Sequence, residues 1–105
     1  MEHKLNYLPS ASVDILEIEA YLYEFSPTAA YNFTYEIENK ASTLVEHPYM
    51  YQVYEDDDYF RSMPLCYSYR LFYHVEEETK TIQIHRVLYG MRDIKNIIQS
   101  TSLES

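Results

Sequence analysis

Two apolar stripes repeat at intervals of three and four residues through the first half of the chain. The first stripe contains Ala11, Ile15, Ile18, Leu22 and Phe25. The second contains Ala30, Phe33, Ile37, Ala41 and Leu44. This spacing places each set on one face of an amphipathic helix. The pattern therefore predicts two consecutive helices, each with one face directed at a core.

Proline and serine positions mark the ends of these two helices. Pro9 ends the segment before the first helix, and Ser10 or Ser12 is expected to cap that helix. Ser26 and Pro27 form a capping residue followed by a proline at the first helical position. Pro48 ends the second helix. Because so few residues separate the helices, they are predicted to pack as an antiparallel hairpin.

Alternating apolar positions later in the chain predict an antiparallel sheet. Tyr67–Val75 and Thr81–Leu88 are predicted strands, joined by a turn at Glu76–Lys80. Phe60–Met63 is a third strand, broken by Pro64. These three strands form the predicted sheet.

The remaining segments are shorter. His3–Leu8 alternates weakly and predicts a first strand, and Tyr49–Tyr54 is a short strand or an irregular edge. Residues 55–58 form an acidic, solvated turn. Arg92–Ser100 is a short final helix, and residues 101–105 form a frayed tail. The chain is thus predicted to be an α+β domain with an N-terminal strand, an antiparallel helix hairpin, an antiparallel sheet of about three strands and a short C-terminal helix.

Side chains alternate between the two faces of a strand, which assigns a face to each residue of the last hairpin. The face toward the helices is predicted to carry Tyr69, Leu71, Tyr73, Val75, Ile82, Ile84 and Leu88. The opposite face is predicted to carry Arg70, Phe72, His74, Gln83, His85 and Val87. Arg86 falls on the apolar face, where a charge needs a partner. It is expected to reach a carboxylate or the sheet edge, or to be redirected by a bulge.

Length and composition limit the class of protein. The 105 residues, 47% of them hydrophobic, suit one domain spanning residues 1–105. With one glycine and one cysteine, Cys66, the chain carries no phosphate-binding glycine loop, no internal disulfide and no zinc-type spacing. No cofactor or metal is expected. The absence of a signal peptide and of a membrane-spanning apolar run predicts a soluble, cytoplasmic protein.

The charge balance argues against direct binding to nucleic acid. Seventeen acidic residues face eight basic ones, giving a formal net charge of −9. Binding to phosphates requires a basic surface, so the chain as a whole repels polyanions. Binding to free nucleic acid is therefore not expected unless the arginines form a local cluster.

Two segments of the last hairpin resemble members of the RelE/ParE superfamily, the toxins of bacterial type II toxin–antitoxin pairs. The segments are Tyr69–Val75, with the sequence YRLFYHV, and Arg86–Asp93, with the sequence RVLYGMRD. The resemblance runs from the first strand to Asp93 and is greatest for the ParE-like "plasmid stabilisation" branch. It implies the RelE/ParE-like fold, which matches the predicted element order.

The resemblance also suggests residues for one of the two activities in the superfamily. RelE-like members cut mRNA on the ribosome with positively charged side chains, and the matching positions here are Arg61, Arg70 and Arg92. Such residues would stabilise the charge that develops at the phosphate during 2′-OH attack. His85 is a candidate acid or base, because histidine titrates near neutral pH. The arginines have an equally ordinary alternative role as partners of the many carboxylates.

Three departures from the cleaving pattern weaken the match to the RelE-like activity. Met63 and Met91 stand where cleaving members tend to carry a base, and no tyrosine or histidine follows Arg92. ParE-like members instead bind and poison DNA gyrase. The chain is therefore expected to be a toxin that inhibits an essential target by binding it and that a cognate antitoxin neutralises. The alternatives are a ribosome-dependent endoribonuclease and a degenerate, non-toxic member that acts only as a binding partner.

Overall fold

The computed structural model describes residues 2–104, with side chains through residue 100. Strand β1 (Lys4–Tyr7) leads into helices α1 (Pro9–Phe25) and α2 (Pro27–Glu46). Strands β2 (Arg61–Pro64), β3 (Tyr69–Glu76) and β4 (Thr81–Tyr89) follow, and helix α3 (Ile94–Glu104) ends the described chain. The predicted α+β order is confirmed. None of the helices described has both the length and the apolar composition needed to cross a membrane.

The four described strands form one sheet in the order β1-β4-β3-β2. Strand β3 is antiparallel to both of its neighbours, β2 and β4, whereas β1 lies parallel to β4. The sheet is thus mixed and has one strand more than the antiparallel set predicted from the sequence. The parallel pairing follows from the helix hairpin, which crosses one face of the sheet and returns the chain.

The predicted helix boundaries hold at α2 and differ at α1. The Ser26 hydroxyl accepts a hydrogen bond from the Ala29 N–H, so Ser26 caps α2 as predicted. The predicted cap at Ser10 or Ser12 is wrong, because α1 begins at Pro9 with Leu8 as its capping residue and no side-chain cap. Proline has no N–H to satisfy at this position, so a side-chain acceptor is less necessary.

The C-terminal helix begins later and ends later than predicted. Helix α3 covers Ile94–Glu104, so the segment predicted to fray is helical as far as Glu104. Ser105 lies outside the described residues.

The main core lies between the helix hairpin and one face of the sheet. Both predicted stripes contribute to it, except that Phe25, at the end of α1, is 71% exposed. This core also includes Leu71, Tyr73, Ile82 and Ile84. At about 25 cal/mol per Å² of apolar surface, burial of these side chains is the dominant favourable term in folding.

A second, smaller core lies on the opposite face of the sheet, and sequence periodicity did not predict it. Helix α3 and the loop before β2 cover this face. The cluster contains Tyr54, Phe60, Phe72, Leu88, Ile94 and Ile98. The sheet is therefore buried on both faces in this region.

A bulge in β4 explains why Leu88 and Val87 were assigned to the wrong faces. Phe72 pairs with Arg86 and Tyr73 pairs with Ile84, which leaves His85 as the extra residue. An extra residue shifts the alternation by one, so every later side chain changes face. Val87 consequently joins the main core, and Leu88 joins the second core.

Candidate functional site

Arg61 lies on β2, where its guanidinium stabilises the preceding loop. Its Nη1 donates to the Tyr51 carbonyl oxygen at 2.7 Å and to the Tyr49 carbonyl oxygen at 3.5 Å. The guanidinium also lies over the Tyr49 ring, 4.9 Å from its centroid. These contacts leave Arg61 fixed against protein groups.

Arg70 lies on β3 and contacts the aromatic side of the second core. Its Nε donates to the Ser62 hydroxyl at 2.9 Å. The guanidinium carbon is 5.4 Å from the ring centroids of both Tyr54 and Phe72. Cation–π contacts of this kind stabilise a partly desolvated arginine.

The structure places Arg61 and Arg70 on opposite faces of the sheet. Residues paired across antiparallel strands share a face. Arg61 pairs with Tyr73, which belongs to the main core, whereas Arg70 contacts Phe72 in the second core. The two guanidinium groups accordingly contact different residues, Arg61 at Tyr49 and Tyr51 and Arg70 at Ser62, Tyr54 and Phe72.

Arg92 lies apart from both, in the exposed turn between β4 and α3. It lines a cavity between α1 and the end of β4, together with Glu17 and Tyr89. The three arginines suggested by the sequence therefore occupy three separate surroundings.

His85, the bulged residue of β4, is only 3% exposed. Its ring packs edge-to-face against Tyr59 and Phe60, with centroid distances of 5.8 and 5.0 Å. Its Nδ1 is buried without a hydrogen-bond partner. Burial, followed by the nearby His74, lowers the pKa of His85 to about 4. The side chain is neutral at physiological pH and shielded from solvent by the loop that carries Tyr59.

His74 and Cys66 are also part of the packing. The His74 ring stacks on the Tyr59 ring with the two centroids 3.8 Å apart, and the His74 Nδ1 contacts the Tyr59 carbonyl oxygen at 2.9 Å. Burial, followed by the charge of Glu36, raises the pKa of the Cys66 thiol. Among the described residues, no three His, Cys, Asp or Glu side chains are placed to hold a metal ion.

The cavity that Arg92 lines has a volume of about 540 Å³. We call it the tyrosine cavity, because Tyr21, Tyr67, Tyr69 and Tyr89 all line it. Ile18, Leu22, Val87 and Leu88 add apolar surface, and Asp14 and Glu17 add carboxylates. Its size and its mostly apolar lining with a few polar groups are typical of ligand-binding clefts.

One carboxylate of the tyrosine cavity closes the free edge of β4. Strand β1 pairs only with residues 81–84, so no described strand covers the outer edge of β4 beyond Ile84. Asp14 accepts hydrogen bonds there from the Val87 N–H at 3.0 Å and from Arg86 at 2.7 and 2.9 Å. The expected carboxylate partner of Arg86 is thus confirmed.

Tyr67 reaches the rim of the tyrosine cavity from a strained turn. Tyr67 and Ser68 have φ angles of 60° and 66°, in the left-handed region that non-glycine residues rarely adopt. The Gly90 N–H donates to the Ser68 carbonyl oxygen at 2.7 Å, and a Cβ on Gly90 would lie 2.8 Å from that oxygen. The one glycine of the chain therefore permits the close approach that holds the turn.

The family model described as "ParE toxin of type II toxin-antitoxin system, parDE" matches residues 5–94. The chain belongs to the ParE toxin family. This match runs from the second residue of β1, through the helix hairpin and the other three strands, to the first residue of α3. A comparison with curated proteins gave no significant match for this ParE-family chain.

Solved structures that share the fold include two from toxin–antitoxin systems. A double arginine-to-alanine mutant of the E. coli toxin RelE in the free state matches with a TM-score of 0.70 and 15% identity, covering 99% of this chain and 98% of that one. A chain of the Mycobacterium tuberculosis RelBE2 toxin–antitoxin complex matches with a TM-score of 0.52 and 20% identity, covering 85% of this chain and 99% of that one. These likenesses confirm the RelE/ParE-like fold of this ParE-family toxin.

Sequence reasoning missed the tyrosine cavity and the buried Asp14 in this ParE-family chain. A signal was present for Asp14, since it falls between Ala11 and Ile18 at the spacing of the first helical stripe. An acidic residue on an apolar stripe and a basic residue on an apolar strand face are natural partners. No local pattern indicated the cavity, because its lining comes from α1, the turn before β3 and the end of β4.

Proposed function

We propose that this ParE-family toxin arrests growth by binding an essential bacterial protein, DNA gyrase in the manner of ParE toxins, and that a cognate antitoxin neutralises it. The observation that carries this proposal is the separation of the basic side chains. Arg61 and Arg70 lie on opposite faces of the sheet and already contact protein groups. Arg92 lies at a third place, beside α1.

This arrangement favours inhibition by binding over cleavage of RNA. A phosphoryl-transfer site needs several preorganised donors around one position. His85, the candidate acid or base, is neutral and covered by Tyr59 and Phe60. The net charge of −9 also opposes docking on ribosomal RNA.

The exposed surface of the helix hairpin suits contact with another protein. Tyrosine and phenylalanine are enriched at protein interfaces, where a large apolar ring is buried at a small entropic cost. Large exposed hydrophobic side chains on α1 and α2 are Val13, Leu16, Tyr21, Tyr23, Phe25, Tyr31 and Tyr35. This surface is available for a target protein, an antitoxin, or each in turn.

A protein antitoxin is the expected neutralising partner, because the matched family is a toxin of type II systems. The structure from Mycobacterium tuberculosis is itself a toxin–antitoxin complex. An antitoxin that covers the exposed rings of α1 and α2 would bury apolar surface and block the target from the same side chains.

The test is induced expression of the chain alone in a bacterial host, with growth, mRNA integrity and the DNA-damage response measured together. Growth arrest with a damage response and intact mRNA is the expected result. Purified chain is then expected to inhibit supercoiling by purified gyrase. A chain that arrests growth while mRNA is cut within codons would overturn the proposal in favour of ribosome-dependent cleavage.

Two controls separate the remaining alternatives. A triple variant, Arg61→Gln, Arg70→Gln and Arg92→Gln, is expected to retain growth arrest if it remains folded, which circular dichroism of the purified variant checks. Normal growth with soluble wild-type protein would instead indicate a degenerate member that acts only as a binding partner.

A further inference from the structure

We propose that the tyrosine cavity binds an arginine side chain of the antitoxin, which stacks on the tyrosine rings and pairs with Glu17. This inference rests on the proposed function, in which an antitoxin neutralises the chain. It adds the chemistry of the contact, namely a cation held by aromatic faces and one carboxylate. The partner segment is accordingly basic at the point of insertion.

The accessibility of the tyrosine rings is the first argument. Tyr21, Tyr67 and Tyr89 are 54%, 43% and 41% exposed, whereas Tyr69 is nearly buried. Three rings thus stand at the rim above an apolar base formed by residues such as Ile18 and Leu22. Guanidinium groups bind to aromatic faces through both the ring quadrupole and planar stacking.

The strained turn before β3 is the second argument. Left-handed non-glycine residues persist only where the surrounding structure fixes them, and they concentrate at functional sites. Here the Gly90 N–H holds the Ser68 carbonyl, and Asn32 Nδ2 donates to the Tyr67 hydroxyl at 3.2 Å. The two contacts hold an exposed ring in place at the rim, although the conformation of its backbone is unfavourable.

Charge is the third argument, and it selects a cation over an anion. Asp14 is already neutralised by Arg86 and by the Val87 N–H, so it is not free to bind a ligand. Glu17, one turn further along α1, is exposed and lines the same cavity. Arg92 lies in the lining as well, but seventeen acidic residues against eight basic ones create a field that attracts cations and repels anions.

The test uses the full chain and N-acetyl-arginine amide, with N-acetyl-citrulline amide as a neutral probe of nearly the same shape. Binding is followed by NMR of the tyrosine ring resonances. The arginine probe is expected to shift the signals of Tyr21, Tyr67 and Tyr89, and to bind at least about threefold more tightly than the citrulline probe.

Matched variants test whether the preference for the arginine probe arises at the tyrosine cavity. Glu17→Gln is expected to weaken arginine binding by about threefold, whereas Glu24→Gln, on the same helix but outside the cavity, leaves it unchanged. Tyr67→Asn removes a ring while tolerating the left-handed backbone. It is expected to weaken binding without lowering the melting temperature.

Several results would overturn the inference. They are equal binding of the arginine and citrulline probes, no binding of either, shifts confined to residues outside the cavity, or tighter binding of N-acetyl-glutamate amide through Arg92.

The growth experiment tests the proposed toxicity independently of the cavity. A chain that arrests growth but does not prefer arginine refutes the role of the cavity alone, and a non-toxic chain that prefers arginine refutes the proposed toxicity alone.

Discussion

The Asp14 carboxylate binds the Arg86 guanidinium through two hydrogen bonds, Nε to Oδ2 at 2.7 Å and Nη2 to Oδ1 at 2.9 Å. The same carboxylate accepts the Val87 N–H, so one side chain of α1 satisfies both a cation and an open strand edge. Bidentate pairs of this geometry are the strong form of the ion pair. The contact joins α1 to β4 at a position where β1 does not reach.

Asp14→Asn is expected to lower the free energy of unfolding by about 2–3 kcal/mol, because it removes the negative charge that pairs with the partly buried Arg86 guanidinium. Urea denaturation measures the effect. Asp58→Asn, at an exposed position, serves as the control and is expected to change stability by less than about 0.5 kcal/mol. Equal stability of Asp14→Asn and the wild type would show that the pair contributes nothing net.

His85 is expected to make stability depend on pH in the acid range. Its pKa is about 4 in the folded chain, below the ordinary value of 6.5, so the unfolded chain binds more protons between those values. Stability contributed by neutral His85 is therefore present above about pH 6.5 and is lost as the pH falls toward 4, by up to about 3 kcal/mol. Denaturation of the wild type and of His85→Phe at several pH values measures this loss.

The control for His85 is His47→Gln, which removes an exposed histidine. The His85→Phe variant is expected to lose less stability between pH 6.5 and 4 than either the wild type or the control. Parallel pH profiles for all three proteins would exclude His85 as the source.

Gly90→Ala is expected to destabilise the chain by about 1–3 kcal/mol, because the new methyl group would lie 2.8 Å from the Ser68 carbonyl oxygen. Either the hydrogen bond from Gly90 or the left-handed turn at Tyr67 must change. Thermal unfolding measures the loss, and the tyrosine NMR signals report the movement of Tyr67. A variant with unchanged stability and unchanged Tyr67 signals would contradict the close approach.

Arg61→Gln is expected to lower the free energy of unfolding by about 1–2 kcal/mol. The guanidinium donates to the carbonyl oxygens of Tyr49 and Tyr51, and hydrogen bonds from charged groups contribute about that much. Denaturation measures the loss, and Lys95→Gln, at an exposed position of α3, is the control. Loss of toxicity with full stability would instead assign Arg61 a direct role at the target.

Local sequence patterns were sufficient to predict the helices and strands and their order along the chain. The apolar stripe of α2 and the cap at Ser26 were correct because helix periodicity and capping act within a few residues. The hairpin of β3 and β4 was predicted correctly for the same reason. The resemblance of residues 69–75 and 86–93 to ParE-like toxins was likewise carried by local segments, and the family match confirms it.

Packing between distant segments set the faces and the surroundings of the candidate residues. The bulge at His85 reversed the faces of Val87 and Leu88. A one-residue shift of this kind cannot be detected from the alternation of hydrophobic positions. The candidate arginines were separated because Arg61 and Arg70 alternate across a sheet that is covered on both faces. The tyrosine cavity exists only where α1, the strained turn at Tyr67 and the end of β4 meet, and contacts between distant segments depend on packing rather than on sequence spacing.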